Sequence, residues 1–211
     1  MEFINLTDEQ RDVLCEIGNI GAGNAATSMA KLINKKIDMQ VPSIDVVGYD
    51  DMMELIGGPE ALIVAIFFRI QGDAPGTVFF ILTMEEAENL VQQITNNVTF
   101  NLFSDGSLDE VAISVLQETG NILTGSYLSA LSDFMHINMQ PSVPYFSADM
   151  AGAVLTAGLM ELSQVTDFAI IIDTKINHND SKNGVHGHFL LLPDPSSFQK
   201  IFHALGVNEN V

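Results

Sequence analysis

Residues 12–42 read DVLCEIGNIGAGNAATSMAKLINKKIDMQVP, and residues 114–144 read SVLQETGNILTGSYLSALSDFMHINMQPSVP. Set at an offset of 102 residues, the two windows agree at nine of 31 positions. The identities include Glu16 with Glu118, Gly18 with Gly120, Asn19 with Asn121, Ile20 with Ile122, Gly23 with Gly125, and Pro42 with Pro144. One spacing organises both copies: Asp12, Glu16, Asn19 and Pro42 in the first, Ser114, Glu118, Asn121 and Pro144 in the second. An internal repeat that keeps a carboxylate and an amide in register while their neighbours drift points to a site more than to a scaffold.

Each window has helical character. Thr7 and Gln10 form a capping box, Asp8 and Glu9 suit the positive end of the helix dipole, and apolar residues recur at Val13, Leu14, Ile17, Ile20, Met29, Leu32 and Ile33. The pattern predicts a helix over about residues 8–34. Ser107 and Glu110 predict the start of its counterpart, over about 108–134. On a helix, positions i, i+4 and i+7 fall within roughly 60° of one another and span about 10 Å. Asp12, Glu16 and Asn19 therefore form one polar stripe, and Ser114, Glu118 and Asn121 another. Val13, Leu14, Ile17 and Ile20 are left to face the core.

Outward from these helices, residues 61–71 and 76–83 read as strands joined by the turn at 72–76, and Thr83 with Glu86 caps a helix reaching about residue 95. In the second half, strands are expected at 165–176 and 185–192 around an Asn/Asp/Ser/Gly-rich loop at 177–184. Asp194-Pro195 then opens a last helix. Each half reads helix, strand, a candidate short helix, strand, strand, helix, with the junction at 96–107. Tight hairpins pair antiparallel. The expected fold is α/β: a single domain of two pseudo-symmetric halves, 1–104 and 105–211. They share a mostly antiparallel sheet, with the long motif helices on a face.

Composition narrows the function. With 47% hydrophobic residues in 211, the chain can bury a substantial core. No stretch reaches the apolar length of a membrane helix, and the first five residues lack the basic region of a signal peptide. The single cysteine, Cys15, rules out an internal disulfide and fits a reducing compartment. These features together predict a cytoplasmic protein. The net charge of −19 repels nucleic-acid phosphates and anionic membrane surfaces. It serves solubility, or a protein partner that presents lysine or a bound cation.

Gly18, Gly21 and Gly23 sit where a helix favours alanine, and Gly120 and Gly125 repeat two of them. Either the helix packs closely inside the molecule or another backbone approaches it. A nucleotide loop is excluded, because the glycines are in the wrong order and follow no strand. Cys15 reads as a small apolar filler rather than a nucleophile. His186 and His188 share one side of a strand near His178, and no further ligands complete a zinc site. Residues 149–160 are apolar and rich in small residues, unlike the more acidic 47–58. They read as a partner-binding helix face or as a buried connector.

The doubled [D/S]-x3-E-x2-N-x22-P pattern resembles the CheC/CheX/FliY family of bacterial chemotaxis phosphatases, over essentially the whole chain. Two copies in a chain of this length, with no room after residue 192 for a flagellar switch domain, are most similar to the CheC branch, so 1–211 is expected to be one CheC-like domain. The resemblance implies hydrolysis of the aspartyl phosphate of the response regulator CheY. It also implies binding to the receptor deamidase CheD, for which the 149–160 segment with Asp149 is the suggested contact. It implies catalytic pairs Glu16 with Asn19 and Glu118 with Asn121. Asp12 and Ser114 open the motifs, and Pro42 and Pro144 close them as structural residues. No cofactor is expected on this chain, since Mg2+ is supplied in the CheY active site.

The chemistry is coherent. An acyl phosphate is reactive already, so what remains is to orient a water, and an asparagine amide offers one acceptor and two donors for that. A glutamate on a rigid helix suits docking to a lysine; general-base catalysis asks instead for a buried carboxylate. The alternative is a non-catalytic adaptor that sequesters CheY-P or CheD. A stand-alone hydrolase of small phosphates lacks a metal-binding cluster or a phosphate loop. The built-in duplication suits a monomer.

Overall fold

The structure, a computed structural model, describes residues 7–104, 107–160, 168–178 and 184–204. The readings at the first five residues and at the centre of the 177–184 loop lie outside these residues, as does the boundary between the halves at 104/105. The first half runs α1 (Asp8–Ile33), β1 (Ile37–Gln40), β2 (Ile44–Gly48), α2 (Tyr49–Leu55), β3 (Leu62–Gly72), β4 (Gly76–Thr83) and α3 (Met84–Thr95). A two-stranded ribbon follows, β5 (Phe103–Ser104) with β6 (Ser107–Leu108). The second half runs α4 (Glu110–Met135), β7 (Met139–Pro141), β8 (Tyr145–Met150), α5 (Ala151–Met160), β9 (Phe168–His178), β10 (Val185–Pro193) and α6 (Pro195–Ala204).

Among the described residues eight strands form one sheet, in the order β1, β9, β10, β4, β3, β7, with β2 also on β9 and β8 also on β3. Every pairing is antiparallel. The hairpins β3–β4 and β9–β10 meet at the centre, where β4 pairs with β10. The edge strands cross over: β1 and β2 of the first half lie on β9 of the second, while β7 and β8 lie on β3 of the first. The halves therefore interlock.

Helices cover both faces of the sheet. On one face α1 and α4 cross each other, flanked by α3 and α6, over a core that includes Leu14, Met29, Phe68, Phe80, Leu116, Leu123, Tyr127 and Phe189. On the other, the short α2 and α5 seal a smaller core of Met52, Ile63, Phe79, Ile81, Leu155 and Leu190. Burial from both sides explains why residues 76–82 are buried without a break and read as a continuous apolar run.

The helix ends follow their caps. Thr7 and Gln10 make the reciprocal capping box, at 3.2 and 2.9 Å. At the second helix the cap is Asp109, whose Oδ1 accepts from the N–H groups of Val111 (2.8 Å) and Ala112 (3.3 Å). This corrects the expected Ser107 cap: Ser107 sits in β6, and a carboxylate next to the first turn competes better for its free N–H groups. Both helices have 26 residues. They end on left-handed residues, Asn34 (φ 51°) and His136 (φ 55°), again 102 positions apart. The repeat is thus exact in helix length and caps even where the side chains differ.

The helix crossing holds a size exchange. A Cβ on Gly21 would lie 2.5 Å from Tyr127 Cδ1 and 3.1 Å from Tyr127 Cα. At the repeat-related positions stand Leu123 and Ala25. Small residues thus gather on α1 and large ones on α4, which lets the axes approach while the core stays filled. The Tyr127 hydroxyl shares a 2.9 Å hydrogen bond with Thr174 of β9. Burial pushes the phenol up to about 12, against a smaller lowering effect of that bond.

Candidate functional site

Asp12, Glu16 and Asn19 lie exposed on α1, while Leu14, Ile17 and Gly18 between them are buried. Ser114, Glu118 and Asn121 lie exposed on α4, with Leu116, Thr119 and Gly120 buried. Each stripe is mounted on a helix whose far side is locked into the core. Ile20 departs from expectation: it is 50% exposed. It stands four residues after Glu16, so the same 3.6-residue period that exposes the glutamate turns it outward.

The surroundings of the two stripes differ. The side-chain oxygen of Asn19 accepts a hydrogen bond from the Val41 backbone N–H at 3.3 Å. Pro42 follows Val41 and favours an extended conformation there. This contact ties the first asparagine to the turn that closes its motif, and it occupies neither N–H of its amide. In the second half the turn is held elsewhere. Ser142 Oγ accepts from the Arg69 N–H (3.1 Å) and donates to the Val143 carbonyl (2.8 Å), and the Ser142 N–H donates to the Arg69 carbonyl (2.8 Å). Pro42 is exposed and Pro144 half-buried. Arg11 pairs loosely with Asp45 at 3.9 Å beside the first stripe. Ser114 Oγ donates to the Glu110 carbonyl of its own helix at 2.9 Å. The Asn19–Val41 contact joins residues 22 apart, and no local pattern announces it.

The glycines divide into two groups. A Cβ on Gly18 would lie 2.8 Å from Ile44 Cδ1, and one on Gly120 would lie 2.8 Å from Ile66 Cγ2. With Gly21, these positions serve internal packing. Among the described residues, a Cβ at Gly23 or Gly125 would meet nothing within 4 Å.

Away from the stripes, Cys15 is half-buried against the larger core, as a filler would be. His186 and His188 do share a side of β10, and His188 Nδ1 lies 2.7 Å from Asp173 Oδ1 on β9. Ser43 Oγ donates to the other Asp173 oxygen at 2.6 Å. The His188 contact holds the Asp173 carboxyl below its ordinary value, opposed by partial burial and helped by Ser43 and by the positive fields of His188 and His186. Among the described residues no group of three or more His, Cys, Asp or Glu is arranged to hold a metal ion, and no helix is long and apolar enough to cross a membrane. Asp149 is exposed near the end of β8 rather than within a helix, its Oδ1 accepting from the Met150 N–H at 2.7 Å. In α5, Ala151, Val154 and Leu155 are buried while Ala153 and Thr156 face out, so the segment is part connector and part surface.

Two equivalent helices, each offering an exposed carboxylate and amide above one antiparallel sheet, define an internally duplicated α/β protein. The model of the CheC-like family matches residues 9–45 and 111–147, the two helices with their closing turns. Over 206 residues the chain is 43% identical to the CheY-P phosphatase CheC of Bacillus subtilis (strain 168), covering 98% of each. It is 27% identical over 143 residues to the flagellar motor switch phosphatase FliY of the same organism, covering 68% of this chain and 36% of that one. The X-ray crystal structure of Thermotoga maritima FliY shares the fold, with a TM-score of 0.72 at 17% identity over 98% of this chain and 100% of that one. The chain belongs to the CheC-like family.

Proposed function

We propose that this protein hydrolyses the aspartyl phosphate of the chemotaxis response regulator CheY. The observation that carries the reading is the recurrence of one exposed Glu-x-x-Asn pair at the same position of two helices of the same length, capped at corresponding positions. The 43% identity to a protein named CheY-P phosphatase supports it.

Glu16 and Glu118 dock the partner, each pairing with a lysine beside the phosphorylated aspartate. Their exposure suits such a pairing better than proton abstraction. Asn19 and Asn121 orient the attacking water. Asn19 uses one lone pair of its carbonyl for Val41, so the water takes the second, and the NH2 donates to a phosphoryl oxygen. CheY supplies the aspartate, the lysine and Mg2+. The protein acts in the cytoplasm as a monomer and binds CheD through the surface that includes Asp149. The reading from a different class is an adaptor that sequesters CheY-P or CheD. The amide held at a fixed distance from the carboxylate favours the enzyme, since sequestration needs no group to orient water.

The test is decay of phosphorylated CheY with wild-type protein, with the Asn19→Ala/Asn121→Ala double variant, and with CheD added. Acceleration by wild type alone supports the enzyme; binding without acceleration by either protein supports the adaptor. A CheD pull-down with Asp149→Lys tests the second partner, and unchanged capture counts against that surface.

A further inference from the structure

Gly23 and Gly125 stand inside helices, 102 residues apart, with open space where a side chain would be. Glycine in a helix interior is less stable than alanine, and nothing in the fold asks for it here. Gly18, Gly21 and Gly120 have internal partners that exclude a Cβ; these two do not.

Their position is informative. Gly23 follows Asn19 by four residues, Glu16 by seven and Asp12 by eleven, and Gly125 stands likewise to Asn121, Glu118 and Ser114. Eleven residues make three helical turns, so each glycine continues its stripe one turn beyond the amide. Ile20, three residues before Gly23, is 50% exposed, a large apolar side chain beside the polar stripe, and Ile122 repeats it in sequence. Asparagine is short. For its amide to reach a phosphoryl group, the partner's surface must come nearly to the helix backbone, and a side chain one turn away would hold it off.

We infer that Gly23 and Gly125 are specificity-determining positions at which the main chain of the phosphorylated partner packs directly on the helix, with Ile20 as an apolar lip. The inference rests on the phosphatase reading above and extends it to the partner's footprint. A substitution here acts on docking and leaves the amide and carboxylate in place.

The experiment compares wild type with Gly23→Ala/Gly125→Ala and Gly23→Leu/Gly125→Leu in thermal melting and in phospho-CheY turnover. Alanine and leucine favour the helix, so the melting temperature holds or rises. KM for phospho-CheY rises by roughly tenfold with alanine and further with leucine, while kcat changes less. Equal KM in all three proteins, with wild-type turnover intact, overturns the inference and leaves the phosphatase reading standing. A fall in melting temperature assigns the glycines to the fold and also overturns it. A wild-type protein that does not speed phospho-CheY decay overturns the phosphatase reading, and the inference with it.

Discussion

Asn19 and Val41 are joined by a hydrogen bond from the Val41 backbone N–H to the Asn19 side-chain oxygen, 3.3 Å long. It fixes the orientation of the amide before any partner arrives, and it couples the helix to the turn at Pro42. Among the described residues no equivalent bond holds Asn121, whose turn is anchored by Ser142 and Arg69.

The two asparagines therefore differ in what they do for stability. Asn19→Ala strands a partly buried N–H and is expected to cost about 1 kcal/mol, whereas Asn121→Ala costs almost nothing. Chemical denaturation of the two single variants checks this, and equal midpoints would count against the tether. In turnover, each single variant keeps activity through the other site, and the double variant binds CheY-P without hydrolysing it.

Removing the carboxylates acts on a different quantity. Glu16→Ala/Glu118→Ala weakens docking through an exposed ion pair, so KM rises about two- to fivefold and kcat is nearly unchanged. The difference from wild type shrinks as salt is added. A loss confined to kcat would reassign the glutamates to the chemical step.

Two glycines two residues apart have opposite expectations. Gly21→Ala places a methyl against the backbone and ring of Tyr127 and destabilises by about 1–3 kcal/mol. Gly23→Ala stabilises by about 0.5–1 kcal/mol through helix propensity. Thermal melts of the two variants, one down and one up, check the assignment of the crossing.

Asp173 sets an acid-side dependence. Its folded-state carboxyl lies below the ordinary 3.8, chiefly through the His188 contact. A lowered folded value means the stabilisation is present above the unfolded value and is lost as pH falls from about 4 through the folded one. Asp173→Asn should flatten the stability profile in that acid window, with the loss of stability full at neutral pH and fading as pH falls through it. An unchanged slope below pH 4 would remove Asp173 from the account.

The sequence made the motif helices legible because their signals are local. The Thr7–Gln10 capping box, the spacing of Leu14, Ile17 and Met29, and the outward Glu16 and Asn19 all follow from one helical period. The strands 62–72 and 76–83 were legible as apolar runs around a turn. The edge strands were legible only as one strand in each half, not as the pairs β1, β2 and β7, β8: these span six residues or fewer each, and their partners lie in the opposite half. Ser107 misled because Asp109, two residues on, is the better acceptor. The Asn19–Val41 and His188–Asp173 contacts join separate elements, and no spacing in the chain encodes such meetings.

The crossed edges have an evolutionary corollary. A polypeptide with only one helix–strand unit would display its hairpin with both flanks bare, and its short edge strands would have nowhere to lie. It could complete the sheet only by associating with a second molecule of itself. The present chain reads as such a pair fused end to end, and fusion frees each copy to diverge without disturbing its twin. One face can then become a better phosphatase while the other turns to different company.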